Sequence, residues 1–244
     1  MLPQADATDL LRATFGQLGN EIILERWVNY AVGIEKRETC LGRAAIDLAL
    51  KTLDVDLKHD RELPYDGELR LIDGRKTIFL REAINPLRVN FTIAHELGHA
   101  TLFQLNPLLG QTNQEVERLC NLFAAELLLP STSVRSTTHD SSYARAVVIL
   151  SAKSGASLST TCIRMTECFG GAAGFASKDG RVLSQYGQVP RSLRLSEHLA
   201  RIASNRDGVF HSHQISRSWV LDTGFIRGRY IYVLRPLNES YRFG

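Results

Sequence analysis

The chain has 244 residues, of which 44% are hydrophobic and 23% charged, with a formal net charge of +3. This balance is typical of one large or two small globular domains and excludes a disordered, collagen-like or coiled-coil protein. The apolar runs are shorter than the roughly 18 residues of a membrane-spanning helix, and the first ten residues lack the apolar segment of a signal peptide. The four cysteines are too scattered for a disulfide framework. We therefore expect a cytoplasmic protein without membrane association.

The first third of the chain is predicted to be a helical region followed by a β-hairpin. Residues 6–52 are predicted to be helical, because apolar residues recur there at intervals of three and four. An extended segment follows at 54–57. Two strands, at 69–72 and 77–80, are then joined by Asp73-Gly74, a pair that is typical of a tight hairpin turn with positive φ.

Two longer helices are predicted after the hairpin. Asn85-Pro86 marks the start of the first, since proline is favoured at the first helical position, and we expect this helix to extend to about Gln104. Residues 105–113 contain helix-breaking Asn-Pro and Gly and are predicted to be a loop. The second helix is predicted from Gln114 to Leu129, where Pro130 ends it.

The rest of the chain differs in composition. Residues 131–140 are rich in Ser and Thr without an apolar period, and residues 170–174 contain only Gly and Ala, so both segments are predicted to be linkers. The regular elements predicted here are helices at 143–153, 158–169 and 194–204, a hairpin over 175–186, and strands between 209 and 237.

These patterns predict three parts with different surroundings. We predict a domain over 1–135, a helical segment resembling a helix-turn-helix over 136–169, and a small α/β domain over 170–244 with a regulatory or docking role. Residues 1–130 carry 14 Lys and Arg against 19 Asp and Glu, whereas the remainder carries 15 against 7, so the net charges are −5 and +8. The basic half favours an acidic protein or nucleic acid as a partner; a solvated basic surface is the alternative.

The most informative segment is His95-Glu96-Leu97-Gly98-His99. On a helix, residues four apart share a face, so His95 and His99 can bind one metal ion, and Glu96 is placed to act as a general base. Glu96 is also the only charged residue between positions 89 and 101. Buried polar groups need a partner, and a metal ion supplies one; the alternative is a pair of core histidines bonded to backbone carbonyls.

A catalytic zinc site needs a third protein ligand, which we expect from the following helix. Its acidic residues are Glu115, Glu117 and Glu126. Glu117 and Asn121 are four residues apart and share a face, so Glu117 can bind the metal while Asn121 forms a hydrogen bond to a metal-binding histidine. Glu126 comes nine residues after Glu117, about half a turn around the helix, so the two cannot bind the same ion. We favour Glu117 because Asn121 accompanies it.

Two motifs resemble the ImmA/IrrE family of metallopeptidases: Phe91-Thr92-Ile93-Ala94-His95-Glu96-Leu97-Gly98-His99, and Glu117-x-x-Cys120-Asn121-x-Phe123-Ala124-Ala125-x-Leu127-Leu128-x-Pro130. They occur in the family's order and spacing, and the resemblance covers about residues 40–130. It implies an α+β, zincin-like fold, with zinc bound by His95, His99 and Glu117 and with Glu96 as the catalytic residue. It also implies that the substrate is a helix-turn-helix repressor, whose cleavage relieves repression of a mobile element or of a stress and DNA-damage regulon.

The sequence therefore supports two hypotheses. The first is an endopeptidase that uses Zn²⁺, or alternatively Mn²⁺, with the strand Thr77–Leu80 pairing with an extended peptide. Candidates for stabilising the oxyanion, unranked, are Tyr65, Arg88, His139 and Tyr143. The second is a non-catalytic, metal-containing regulator that binds a repressor or DNA through the basic C-terminal half. Direct DNA binding by 143–169 is the weaker expectation, because Arg164 is the main group available there for base contacts.

Overall fold

The structure is a computed structural model that describes residues 6–16, 20–33, 40–107, 113–139, 141–204 and 210–237. These residues form helices and two β-sheets, which confirms the predicted α+β class. The chain divides into two compact units, Met1–Pro130 with Lys153–Ala156, and Ser131–Ala152 with Ser157–Gly244. The domain limits that we placed at residues 135 and 169 stay predictions. In the part of the chain that the structure describes, every helix is too short or too polar to cross a membrane.

The first unit combines helices with a small sheet. Its elements are α1 Ala7–Phe15, α2 Asn20–Val32, α3 Arg43–Thr52, β1 Val55–Asp60, β2 Gly67–Ile72, β3 Arg75–Arg81, α4 Pro86–Leu105 and α5 Gln114–Leu128. The predicted hairpin and the two longer helices are confirmed by these bounds. The core joins α2 to α4 and α5 through Trp27, which is fully buried. Its ring lies 4.7 Å from that of Phe123, and its Nε1–H donates to Thr101 Oγ1 at 2.8 Å.

The strand order of this sheet is β1-β3-β2, with β3 parallel to β1 and antiparallel to β2. The hairpin turn has the predicted positive φ, 51° at Asp73 and 79° at Gly74. Because β3 lies between the other two strands, both of its edges are paired. The predicted role of Thr77–Leu80 as the edge that binds a peptide is therefore wrong, and the edge beside α4 belongs to β2.

The second unit contains a five-stranded antiparallel sheet in the order β5-β4-β8-β7-β6. Its elements are α6 Ser131–His139, α7 Tyr143–Ser154, α8 Leu158–Phe169, β4 Ala172–Ala176, β5 Val182–Gly187, α9 Leu195–Ser204, β6 His211–Gln214, β7 Trp219–Ile226 and β8 Arg229–Pro236. Helix α8 packs against β4, β5 and β8. Leu195 and Leu199 of α9 form a core cluster with Leu221 of β7 and Tyr232 of β8.

The two segments predicted as linkers are largely regular structure, although the two units do divide at Pro130 and Ser131 and residues 170–171 do join α8 to β4. Residues 131–139 form a helix in which Ser and Thr hydroxyls donate to carbonyls of the preceding turn, as Thr138 Oγ1 does to Val134 O at 3.1 Å, while Val134 is fully buried. Residue 140 lies outside the described residues. Of the Gly-Ala run, residues 172–174 belong to β4, all of whose residues are buried. Small side chains suit this strand, because a Cβ on Gly174 would lie 2.1 Å from Ser184 O.

Residues 153–156, which begin with the last two residues of α7, belong to the first unit and pack against Gly42. This glycine precedes α3 with φ 62° and ψ −133°, a region that L-residues avoid. Its N–H donates to Leu128 O at 3.0 Å. A Cβ at Gly42 would lie 2.1 Å from Ser154 O, so the chain requires glycine here for both its conformation and its packing.

Replacing Gly42 by Ala is expected to lower the free energy of unfolding by about 3 kcal/mol or more, because overlap with the Ser154 carbonyl adds to the backbone strain. Gly74→Ala is the matched control, since Gly74 also has positive φ, 79°, but no atom lies within 4 Å of the added Cβ. This variant should lose only the strain, about 1 kcal/mol. Urea denaturation measures both values, and equal losses would contradict the contact with Ser154.

Candidate metal centre

Helix α4 places two histidines in one row. His95 and His99 are one turn apart, and their Nε2 atoms lie 3.2 Å from each other. Ile93 and Leu97 are fully buried and anchor the helix in the core. The histidine side chains are 16% and 14% exposed, so both imidazoles are largely removed from water but still reach the surface of the unit.

Gly98, between the two histidines, permits a close approach of α5. A Cβ at this position would lie 3.2 Å from the Cα of Cys120, which is tight even for packed helices. The absence of a side chain at Gly98 lets the first half of α5 lie directly against the histidine turn. Glu117 and Asn121, which flank Cys120 on α5, are thereby brought beside the imidazoles.

The carboxylate of Glu117 faces both imidazoles. Its oxygens lie 3.2 Å from His95 Nε2 and 3.4 Å from His99 Nε2, and one ligand atom from each residue lies within 4.8 Å of the other two. Metal–ligand bonds of about 2.0–2.2 Å in a tetrahedron place the ligand atoms about 3.3–3.6 Å apart. The spacing therefore fits one tetrahedral ion with a fourth position left over. Glu126, the alternative ligand on α5, is only 3% exposed and does not belong to the group formed by His95, His99 and Glu117.

The protonation of the imidazoles also fits a cation. Asn121 Oδ1 lies 3.0 Å from His95 Nδ1; a carbonyl oxygen only accepts, so Nδ1 carries the hydrogen and Nε2 of the neutral ring presents its lone pair. Burial, reinforced by the neighbouring His95, lowers the pKa of His99 to about 4. The Nε2 atoms of both histidines and the Glu117 carboxylate thus converge on one point, and a bound cation would attract the lone pairs of all three groups.

Glu96 lies in the wall of the same site. It is only 8% exposed, and Oε2 accepts a hydrogen bond from the backbone N–H of Leu69 at 3.0 Å. Burial raises the pKa of Glu96 to about 7; the negative charges of Glu117 and Glu68 add to this effect, and the Leu69 N–H opposes it. A carboxyl group that takes up and gives off a proton near neutral pH is suited to general acid–base chemistry.

The raised pKa of Glu96 predicts a pH-dependent stability for the metal-free protein. The folded state holds this proton more tightly than the unfolded chain does, so the destabilisation is absent below the ordinary pKa of 4.5 and develops as pH rises to about 7. With the metal removed by a chelator, Glu96→Gln is expected to be about 1–3 kcal/mol more stable than the wild type at pH 8 and to match it at pH 4. Chemical denaturation at both pH values measures the difference. The exposed Glu62→Gln is the control, and an equal gain there would contradict the assignment to Glu96.

An open cleft of about 720 Å³ adjoins these groups. It is lined by Tyr65, Gly67, Glu68, Leu69, Leu71, His95, Glu96, His99, Phe103 and Glu117. Since the Leu69 N–H points to Glu96, it points away from β3, and by alternation the backbone of Gly67 and Leu71 faces the same side. The edge of β2 therefore forms one wall of the cleft, a feature that the sequence assigned to the wrong strand.

Of the four candidates for stabilising the oxyanion, Tyr65 lines the cleft and is 62% exposed. Arg88 is 67% exposed and forms an ion pair with Asp66 at 2.8 Å. His139 and Tyr143 belong to the second unit, where the Tyr143 ring contacts Phe169 with centroids 4.7 Å apart. These contacts favour Tyr65 over Arg88 as a group available to a substrate.

The family model of the IrrE N-terminal-like domain, peptidase family M78, matches residues 45–166. The chain belongs to this family. The match confirms the resemblance found in the two motifs and contains the candidate residues Glu96, His95, His99 and Glu117. Membership of a metallopeptidase family agrees with the metal-binding geometry described above.

Relatives of this M78 member include two curated proteins, both named radiation response metalloprotease IrrE. The one from Deinococcus radiodurans is 31% identical over 138 residues, which are 53% of this chain and 38% of that protein. The one from Deinococcus deserti is 30% identical over 112 residues, 42% of this chain and 37% of that protein. The matched segments thus span well under half the length of these relatives. A solved Mycobacterium tuberculosis transcriptional regulator has a TM-score of 0.46 and 15% identity, covering 93% of this chain and 79% of the regulator.

Proposed function

We propose that this chain is a zinc-dependent endopeptidase whose first unit is zincin-like, followed by a helical segment and a small regulatory C-terminal domain. The observation that carries the proposal is the convergence of His95, His99 and Glu117 on one point, with Glu96 beside it in the wall of an open cleft. Structural zinc sites use four protein ligands, whereas catalytic sites use three and keep one position open. Three ligands beside a buried carboxyl group favour catalysis.

Two imidazoles and one carboxylate are a donor set of catalytic zinc sites, and imidazole suits zinc better than it suits manganese. We therefore propose Zn²⁺ as the metal, with Mn²⁺ as the alternative. When bound, the ion supplies Lewis-acid activation of a water molecule and of the scissile carbonyl group.

The residues around the metal position transfer protons, bind the substrate and orient the metal ligands. Glu96 accepts a proton from the attacking water as the new C–O bond forms, and delivers it to the amine nitrogen as the C–N bond breaks. The Leu69 N–H fixes one carboxylate oxygen of Glu96. The outer edge of β2, which pairs with no other described strand, orients an extended peptide across the cleft as a further strand through backbone groups other than the Leu69 N–H. Asn121 orients the ring of His95, because its Oδ1 accepts a hydrogen bond from the Nδ1–H of His95.

We further propose that the substrate is a helix-turn-helix repressor, and that its cleavage relieves repression of a stress, DNA-damage or mobile-element regulon. The two family motifs support this substrate, and the names of the Deinococcus relatives link those proteins to the radiation response. Residues 131–244 carry the net charge of +8, which favours approach to a repressor bound to DNA.

The test is to incubate the zinc-loaded chain with each helix-turn-helix regulator encoded near its gene and to search for a discrete cleavage product by mass spectrometry. A single internal cut, absent when zinc is removed by a chelator, is the expected result. If every regulator stays intact while zinc remains bound, the proposed substrate is wrong. The net charge of +8 on residues 131–244 favours a second candidate function, a non-catalytic regulator that binds a repressor or DNA.

Asn121→Ala is expected to weaken zinc binding by roughly 10- to 100-fold, because His95 loses the hydrogen bond that fixes its tautomer and ring orientation. The zinc affinity is measured by competition with a chelating dye. Arg118→Ala removes an exposed side chain from the same helix and should leave the affinity unchanged. Equal affinities in the two variants would show that Asn121 does not support the metal centre.

A further inference from the structure

One end of the cleft is apolar. Phe103 follows His95 and His99 at four-residue intervals on α4, so the three side chains form one row along the helix. Phe103 lines the cleft beyond His99, and Leu71 lines it from β2. The acidic groups of the lining, which are Glu68, Glu96 and Glu117, come earlier along β2 and α4 or from α5.

The register between β2 and α4 places these two apolar residues at the same end. A Cβ on Gly67 would lie 2.4 Å from Thr92 Cγ2, and the Leu69 N–H binds Glu96. Two strand residues advance about 6.6 Å and four helical residues about 6 Å, so each further pair of β2 residues lies beside the next turn of α4. Leu71 therefore lies beside the turn of α4 that follows Glu96. Phe103 comes directly after this turn, so both apolar residues lie at the same end of the cleft.

The apolar end is accessible. Leu71 is 49% exposed and Phe103 is half-buried, although both are large apolar side chains. Exposed apolar groups that line a cleft beside a reactive centre are typical of a binding surface. Because β2 also presents its open edge here, an extended peptide paired with the strand would direct every second side chain into the cleft.

We propose that Leu71 and Phe103 form a specificity subsite that receives a large aliphatic or aromatic side chain adjacent to the scissile bond. This inference rests on the proposed peptidase function and names its substrate class: extended segments that carry Leu, Ile, Met or Phe beside the cleaved bond. Both residues are specificity-determining, since they contact the substrate side chain and take no part in the proton transfers.

The test measures binding, so that it does not depend on turnover. The full chain is loaded with Co²⁺, whose visible spectrum reports on its ligands, and is titrated with two series of hydroxamates. Acetyl-X hydroxamates carry the side chain X on the N-terminal side of the metal-binding group, and malonyl hydroxamates carry it on the other side, with X being Gly, Ala, Leu or Phe. In one series, the Leu or Phe compound is expected to bind at least about tenfold more tightly than the Gly compound.

Variants then assign the preference to the two residues. Leu71→Ala and Phe103→Ala are each expected to reduce it severalfold, and Leu71→Ala is the safer variant for folding because its side chain is exposed. Leu48→Ala, at an exposed apolar position of α3, is the control and should keep the preference. No preference in either series, or a preference unchanged in both variants, overturns the subsite. If Co²⁺ does not bind, or if acetohydroxamate, a hydroxamate without any side chain X, does not bind to the Co²⁺-loaded chain, the proposed function itself is wrong.

Discussion

Glu96→Gln is expected to slow peptide cleavage by roughly 10²- to 10⁴-fold, the usual contribution of a general acid–base group, while zinc content and fold stay unchanged. Gln keeps the size of Glu and a carbonyl oxygen that can accept from the Leu69 N–H, but it cannot accept and return a proton near neutral pH. The proposed metal ligands His95, His99 and Glu117 are untouched. Cleavage of the identified regulator and zinc content by elemental analysis are measured on the same preparation.

The same variant separates the two candidate functions. If the chain acts by cleavage, Glu96→Gln also abolishes its regulatory effect in cells. If it acts as a binding regulator, the variant retains that effect, because the basic groups of the second unit are unaltered. Glu62→Gln, which removes one exposed carboxylate, serves as the control for the change in net charge. Regulation that survives Glu96→Gln would contradict the peptidase hypothesis.

The sequence predicts that His95 and His99 share one helix face because helix geometry is local, and the structure places their rings together. The four-residue spacing of His95 and His99 places them on one face whatever the rest of the fold does. The choice of Glu117 over Glu126 also followed from spacing, since Asn121 shares a face with Glu117. In three dimensions, Gly98 lets α5 approach to within contact of the histidine turn, which brings the Glu117 carboxylate beside both imidazoles.

The strand order was not predictable in the same way. The hairpin of β2 and β3 is a local feature that Asp73-Gly74 specifies, but the position of β3 between its neighbours depends on its parallel pairing with β1, a contact between segments distant in sequence. The hydrogen bond from the Leu69 N–H to Glu96 was not predictable either, because every residue except proline has a backbone N–H and the sequence does not show which one faces Glu96. The position of Phe103 beside the site could have been predicted, because Phe103 follows His99 by four residues and so continues the row of His95 and His99 by one more turn.

Glu117→Ala tests whether the third ligand has been identified. Loss of a direct ligand is expected to weaken zinc binding by roughly 10³-fold or more, well beyond the 10- to 100-fold of an outer hydrogen-bonding partner such as Asn121. The variant removes both a ligand atom and the only carboxylate of the proposed set, so only the two imidazoles remain. Affinity is measured by competition with chelators of graded strength.

Two other carboxylates provide the controls. Glu115 is two residues earlier on α5, but its carboxylate accepts a hydrogen bond from Thr8 of α1, so Glu115→Ala should leave zinc affinity unchanged. Glu126 is the alternative ligand, and because it is buried, Glu126→Gln should alter stability rather than affinity. If Glu126→Gln loses zinc while Glu117→Ala retains it, the assignment of the third ligand is wrong.

The stability of Glu117→Ala decides what the metal does for the fold. Ile93 and Leu97 hold α4 in the core without any metal, and Phe123 and Trp27 do the same for α5. We therefore expect the variant to remain folded, with a circular dichroism spectrum like that of the wild type and a lower melting temperature only relative to the zinc-loaded protein. Complete unfolding would mean that the ion is a structural element. A folded chain without zinc would instead show that the core builds the site first, and that the metal enters a geometry which the helices already provide.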